Sequence, residues 1–198
     1  MQESLRSTID CSSPIHRLGV INILEIVFPL PIDQQLITLV RYNVIRAIAT
    51  NRSILSLHQV TTRYCNKDGG NIQLFPVPTT LPESLRPTEL QHSTPHEPWI
   101  DLLPSPRMRD NVIRLYDTFD EFDLFRDVVG CVFGGFGDSN IENNGMLVWA
   151  DPWHASGWEL TEGFVHKWKI LIEGCYDMLE ATNSWRSIRK EELLFVEL

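Results

Sequence analysis

The stretch Ile32-Asp-Gln-Gln-Leu-Ile-Thr-Leu-Val-Arg-Tyr-Asn-Val-Ile-Arg-Ala-Ile-Ala-Thr50 decides the fold class. Its Leu36, Leu39, Val40, Asn43, Val44 and Ala47 recur at i, i+3, i+4, i+7, i+8 and i+11, while Gln34, Thr38 and Arg41 fall elsewhere on the wheel. That period is an amphipathic helix laying one apolar stripe on a core. Pro31 stands at its start, where a missing N–H costs nothing. Phe164, Trp168, Leu171, Ile172, Cys175 and Leu179 share the same spacing and predict a second long helix over 159–182. Shorter helices are expected over 52–64, 106–116 and 121–129. The fold class is therefore mainly α, a single helical domain.

Between the helices the chain changes character. Eight of its twelve prolines lie between Phe75 and Pro106, which excludes a long helix or a central strand there. The same window holds Leu81, Leu85, Leu90, Trp99, Ile100, Leu102 and Leu103, enough apolar surface for an ordered, irregular strap lying against the helices. Asn66–Gly70 reads as a turn and Gly130–Gly145 as a loop. Met146–Trp149 is a short apolar run, either strand or buried coil. Residues 1–15 lack periodicity and read as a flexible lead-in, residues 16–31 as an apolar cover; the division expected is 1–15 and 16–198.

Composition narrows the function classes. With 198 residues, 43% of them hydrophobic, the chain can remove roughly 70% of its unfolded surface from water and needs no metal or disulfide staple. Seventeen Lys and Arg against 26 Asp and Glu give a net charge of -9, which argues against direct DNA binding, since that affinity comes from cations neutralising phosphates. The four cysteines form no C-x-x-C pair, so a cytoplasmic setting is expected, or a nuclear one if the domain belongs to a regulator. The apolar run over 19–30 is broken by Asn22, Glu25 and Pro29, and no membrane association follows from it.

Written signals for nucleotide hydrolysis, esterase chemistry and zinc proteolysis are missing, so no cofactor and no metal are expected. His92 and His96 are four apart, but Pro95 breaks the helix that would align them. Two constellations remain. His96, Asp101, Arg107, Arg109 and Asp110 crowd one apolar segment; they read either as a polar cluster bordering a pocket, with His96, Asp101 and Arg109 as the catalytic groups, or as an ion network pinning the strap. Trp149, Trp153, Trp158 and Trp168 fall within twenty residues. They read either as core or as walls of an apolar pocket, with Trp149, Trp153 and Trp158 as the substrate-binding set. Asn43, on the apolar stripe, reads as a buried hydrogen-bonded residue.

Several runs carry a family resemblance: His96-x-Pro-Trp-Ile-Asp-Leu-Leu-Pro-x-Pro-Arg-x-Arg-Asp-Asn111, Leu147-Val-Trp-x-Asp-Pro-Trp153, Trp158-Glu159, Phe164-x-x-Lys-Trp168 and Thr182-Asn-x-Trp-Arg186. With Leu39-x-x-Tyr-Asn-x-x-Arg-Ala47 and Arg86-Pro-Thr-x-x-Gln91, they resemble the fungal domain of unknown function found C-terminal to basic-leucine-zipper-like regions in many regulators. The resemblance spans residues 29–189 and implies no catalytic assignment. Residues 1–30 hold only Arg6 and Arg17 as Lys or Arg and no heptads, so the expectation is a domain without the DNA-reading half. Such a domain works through its own pocket or surface. The leading expectation is binding of an apolar small molecule, with cofactor-independent cyclase or isomerase chemistry, pericyclase-like, in fungal natural-product biosynthesis. The alternative is a non-catalytic regulatory or partner-binding domain, self-associating as a homodimer.

Overall fold

The computed structural model describes residues 32–58, 78–129 and 145–194. The lead-in over 1–15, the apolar cover over 16–31, the Asn66–Gly70 turn and the loop over 130–144 lie outside the described residues, as do Cys11, Cys65 and Cys131. The fold is mainly α. Its elements are α1 (Ile32–Leu57), α2 (Glu89–Ser93), α3 (Pro106–Arg114), α4 (Glu121–Val128), α5 (Glu162–Lys167) and α6 (Tyr176–Ile188), with β1 (Met146–Val148) and β2 (Trp158–Leu160) as a small antiparallel pair.

Helix α1 runs on where the sequence reading divides it at Thr50. The hydroxyls of Thr50 and Ser53 bond the Arg46 and Ala49 carbonyls, four residues back, at 2.8 and 3.0 Å. Side chains that elsewhere cap helices are thus absorbed along the helix, and no proline or glycine interrupts it.

The helix expected over 159–182 is the larger correction. Its residues form β2, α5, a 3-10 turn at Lys169–Leu171, and α6, which continues to Ile188. Two local devices and one distant side chain impose the breaks. Thr161 caps α5 by accepting from Phe164 N–H, and its hydroxyl also bonds the Gly145 carbonyl at 2.8 Å, tying the start of β1 to the end of β2. Gly174 sits at φ 71°, a conformation costly for residues with a Cβ. Asn111 Nδ2 takes the Leu171 and Glu173 carbonyls at 3.0 and 2.8 Å, satisfying oxygens that a continuing helix would have used. Phe164, Trp168, Leu171, Ile172 and Cys175 are nonetheless all buried. The periodicity marks core residues correctly and assigns them the wrong backbone.

The proline-rich segment carries short helical pieces: 3-10 turns at Glu83–Leu85 and Ile100–Leu102, with α2 between them. Helix α2 is held by a reciprocal cap between Thr88 and Gln91. Ser105 caps α3, with Pro106 in its first turn, and Asp120 caps α4 through the Phe122 and Asp123 N–H groups. Leu85, Trp99, Ile100, Leu102 and Leu103 from this region join Val44, Ala47, Ile54, Met108, Val112, Leu124, Trp158, Leu160 and Phe164 in one core. Each such fully buried apolar side chain contributes about 1.5–3 kcal/mol. No helix among the described residues is long and apolar enough to cross a membrane.

Candidate functional site

A cleft of about 450 Å³ opens between α1 and the chain leaving β1. Asn43, Arg46, Ala47 and Thr50 form the helical side; Val148, Trp149, Ala150, Asp151, Pro152 and Trp153 form the other. Two indoles stand beside an amide, a guanidinium, a hydroxyl and a carboxylate, an arrangement suited to a ligand with an apolar body and polar substituents. Asn43 is half-buried and lines this cleft, not the buried residue its place on the apolar stripe suggests.

The indole side is fixed from behind, largely through its backbone. Asn51, fully buried on α1, donates from Nδ2 to the Pro152 carbonyl and to the Leu102 carbonyl, both at 2.9 Å. Trp158 Nε1 donates to the same Pro152 carbonyl at 2.8 Å. The Ser84 hydroxyl donates to the Trp153 carbonyl. Gly157 closes the turn: its carbonyl accepts Trp149 N–H at 2.9 Å, and an added Cβ would stand 2.4 Å from the Asp151 carbonyl oxygen, so only glycine fits.

Trp149 is fixed by its side chain. Glu159 on β2, 3% exposed, accepts from Trp149 Nε1 at 2.7 Å and from both terminal nitrogens of Arg189, at 2.8 and 2.6 Å. The Arg189 guanidinium lies 5.4 Å from the Trp149 ring centroid, and Trp185 packs on the same indole at 6.1 Å. Arg189 also meets Glu191, through Nε at 2.7 Å and Nη2 at 2.8 Å. Hydrogen bonds to Glu191 and Glu159 raise the Arg189 pKa further, and Arg189 in turn lowers that of Glu191.

The residues expected to be catalytic come together elsewhere. Arg109 is fully buried and donates from Nε to Gln91 Oε1 at 2.9 Å, from Nη1 to the Ser84 and Leu103 carbonyls at 2.8 and 2.7 Å, and from Nη2 to the Arg86 carbonyl at 2.8 Å. Burial lowers its pKa to about 10 against the opposing pull of Asp101, Asp110 and Asp177, and it stays charged at neutral pH. Gln91 Nε2 donates to Asp101 Oδ1 at 2.5 Å, and the same oxygen meets His96 Nε2 at 2.9 Å. His96 Nδ1 faces the Thr94 carbonyl at 2.7 Å. None of the three lines the cleft; through Ser84 their network reaches the back of Trp153.

Of the expected tryptophans, Trp149 and Trp153 line the cleft, 41% exposed and half-buried respectively. Trp158 is fully buried behind it. Sequence reasoning missed Asn51, Ser84, Glu159 and the contact of Arg189. The readable signal was the Thr88-to-Gln91 capping spacing beside Asp101. Burial pushes the Cys175 thiol up to about 12, which keeps it protonated and inert. Among the described residues, no three His, Cys, Asp or Glu side chains stand close enough to hold a metal ion.

No curated protein and no solved structure matches the chain. A family model does match, over residues 75–179, just over half of the chain, and the chain therefore belongs to the family described as a domain of unknown function (DUF3425).

Proposed function

We propose that this domain is a small-molecule-binding module that takes an aromatic or apolar ligand into the cleft between α1 and the Trp149–Trp153 segment. The observation carrying this reading is the pair of indoles that, with Asp151 beside them, face Asn43, Arg46 and Thr50 across one opening. Its size suits a small organic molecule. If the bound molecule also undergoes cofactor-independent cyclisation or isomerisation, the polar groups nearest to it are those four, since His96, Asp101 and Arg109 are committed to each other and to main-chain carbonyls.

The test is a titration with 8-anilinonaphthalene-1-sulfonate, following energy transfer from tryptophan. Mass spectrometry of apolar metabolites incubated with the protein then identifies retained or converted species. Trp153→Ala removes a cleft wall while leaving the carbonyl that Ser84 holds, and Asn43→Phe fills the opening. Both should weaken saturable binding with the circular dichroism unchanged. Undiminished binding in both variants would sink the cleft assignment.

A further inference from the structure

We infer that Arg189 and Glu159 are positioning residues for the cleft, holding the Trp149 indole as its wall from the far end of α6. This rests on the small-molecule reading above. Trp149 is the most exposed of the cleft's two indoles, so left to itself its ring would sample several rotamers. Three contacts restrict it. Its Nε1–H is committed to Glu159, one face meets Arg189, and Trp185 packs against it. Glu159 could not sit buried without a cation, and the forked two-bond contact from Arg189 supplies one with a fixed orientation.

The chain provides for this contact at some local cost. Arg189 is the C-cap of α6, and Lys190 follows at φ 61°, a left-handed conformation where glycine is usual. There, Lys190 N–H bonds the Ser187 carbonyl and Glu191 N–H bonds the Arg186 carbonyl, both at 3.0 Å, which ends the helix in a tight reversal. The reversal turns Glu191 back onto Arg189, and the returning chain is tied down again where Asn183 pairs with both backbone groups of Leu194. Arg189 therefore lies between two carboxylates, one on β2 and one on its own return. A rigid wall removes the ordering cost that a mobile indole would charge against binding. The cleft thus depends on residues beyond the span matched by the family model.

The experiment compares wild type, Arg189→Gln, Arg189→Lys and Glu191→Gln in two readouts. The first is the exciton couplet of the Trp149–Trp185 pair in circular dichroism, identified by its loss in Trp185→Phe. The second is the dissociation constant for 8-anilinonaphthalene-1-sulfonate. Arg189→Gln should abolish the couplet and weaken the probe by about tenfold, because the wall must then be ordered on binding. Arg189→Lys, which keeps the charge without the fork, should recover part of both. Glu191→Gln, an exposed change that leaves the fold undisturbed, should move both readouts in the same direction by less, and it serves if Arg189→Gln does not fold. An unchanged couplet and affinity in Arg189→Gln and Glu191→Gln would overturn the positioning role. A couplet that responds while the wild type shows no saturable binding would instead overturn the cleft reading, and this inference with it.

Discussion

Arg109 keeps its charge where water does not reach it, and four oxygens replace the hydration shell: Gln91 Oε1 and the carbonyls of Ser84, Arg86 and Leu103. Removing the guanidinium strands those acceptors inside the core. Arg109→Met should cost about 3–5 kcal/mol in urea unfolding, and Arg109→Lys should fall well short of restoring it, because one ammonium cannot reach four acceptors in a plane. A loss below about 1 kcal/mol would show that the carbonyls find other donors. His96 makes a different prediction. Its burial opposes the charge, as does Arg109, but bonds to Asp101 and the Thr94 carbonyl and the charge of Asp101 outweigh them and raise its pKa above 6.5. Both ring nitrogens face acceptors, so the protonated ring is the one that fits. A raised pKa in the folded state stabilises the protein fully below 6.5, and that stability is lost as pH rises through the folded value. Urea midpoints should therefore fall from pH 6.5 upward in the wild type and lose that component in His96→Asn.

At the scale of elements, the decisive features are places where a helix stops. Lys190 is the clearest, being a non-glycine residue at positive φ closing α6. Lys190→Gly should raise stability by about 1 kcal/mol, since glycine pays no steric penalty in that conformation. A decrease would mean that the lysine side chain contributes more than its strain costs. The same scale explains what could be read in advance. The apolar stripe from Val44 to Ala47, the Pro106 start of α3 and the Glu121 start of α4 follow from spacing within a few residues. The breaks within 159–182 do not, because one of them is enforced by Asn111, 60 residues away from the Leu171 carbonyl that it captures. Tryptophan density pointed to Trp149 and Trp153 but equally to Trp158 and Trp168, which are buried, so it did not separate lining from core. The anchor behind them was not legible either: the bond from Asn51 to Pro152 joins positions 101 residues apart, and nothing local announces it.

For the whole molecule, a net charge of -9 makes the folded state work against its own field. The described ion pairs are mostly short-range, among them Lys167 with Asp123 and Asp127, both at 2.7 Å. Screening acts first on the long-range repulsion, so Tm should rise as salt is increased from near zero to about 0.15 M. A falling Tm would place more of the stability in exposed pairs than their usual contribution allows. One feature of the architecture reaches further than stability. Pro152 and Trp153 are gripped by their carbonyls, from Asn51, Trp158 and Ser84, while their side chains face the opening. A frame that holds the main chain leaves the lining exchangeable. On the proposed small-molecule reading, substitutions at Ala150, Asp151 and Trp153 would therefore retune what the cleft accepts without unseating the wall, and one scaffold could be diversified toward many ligands by drift at a few neighbouring codons.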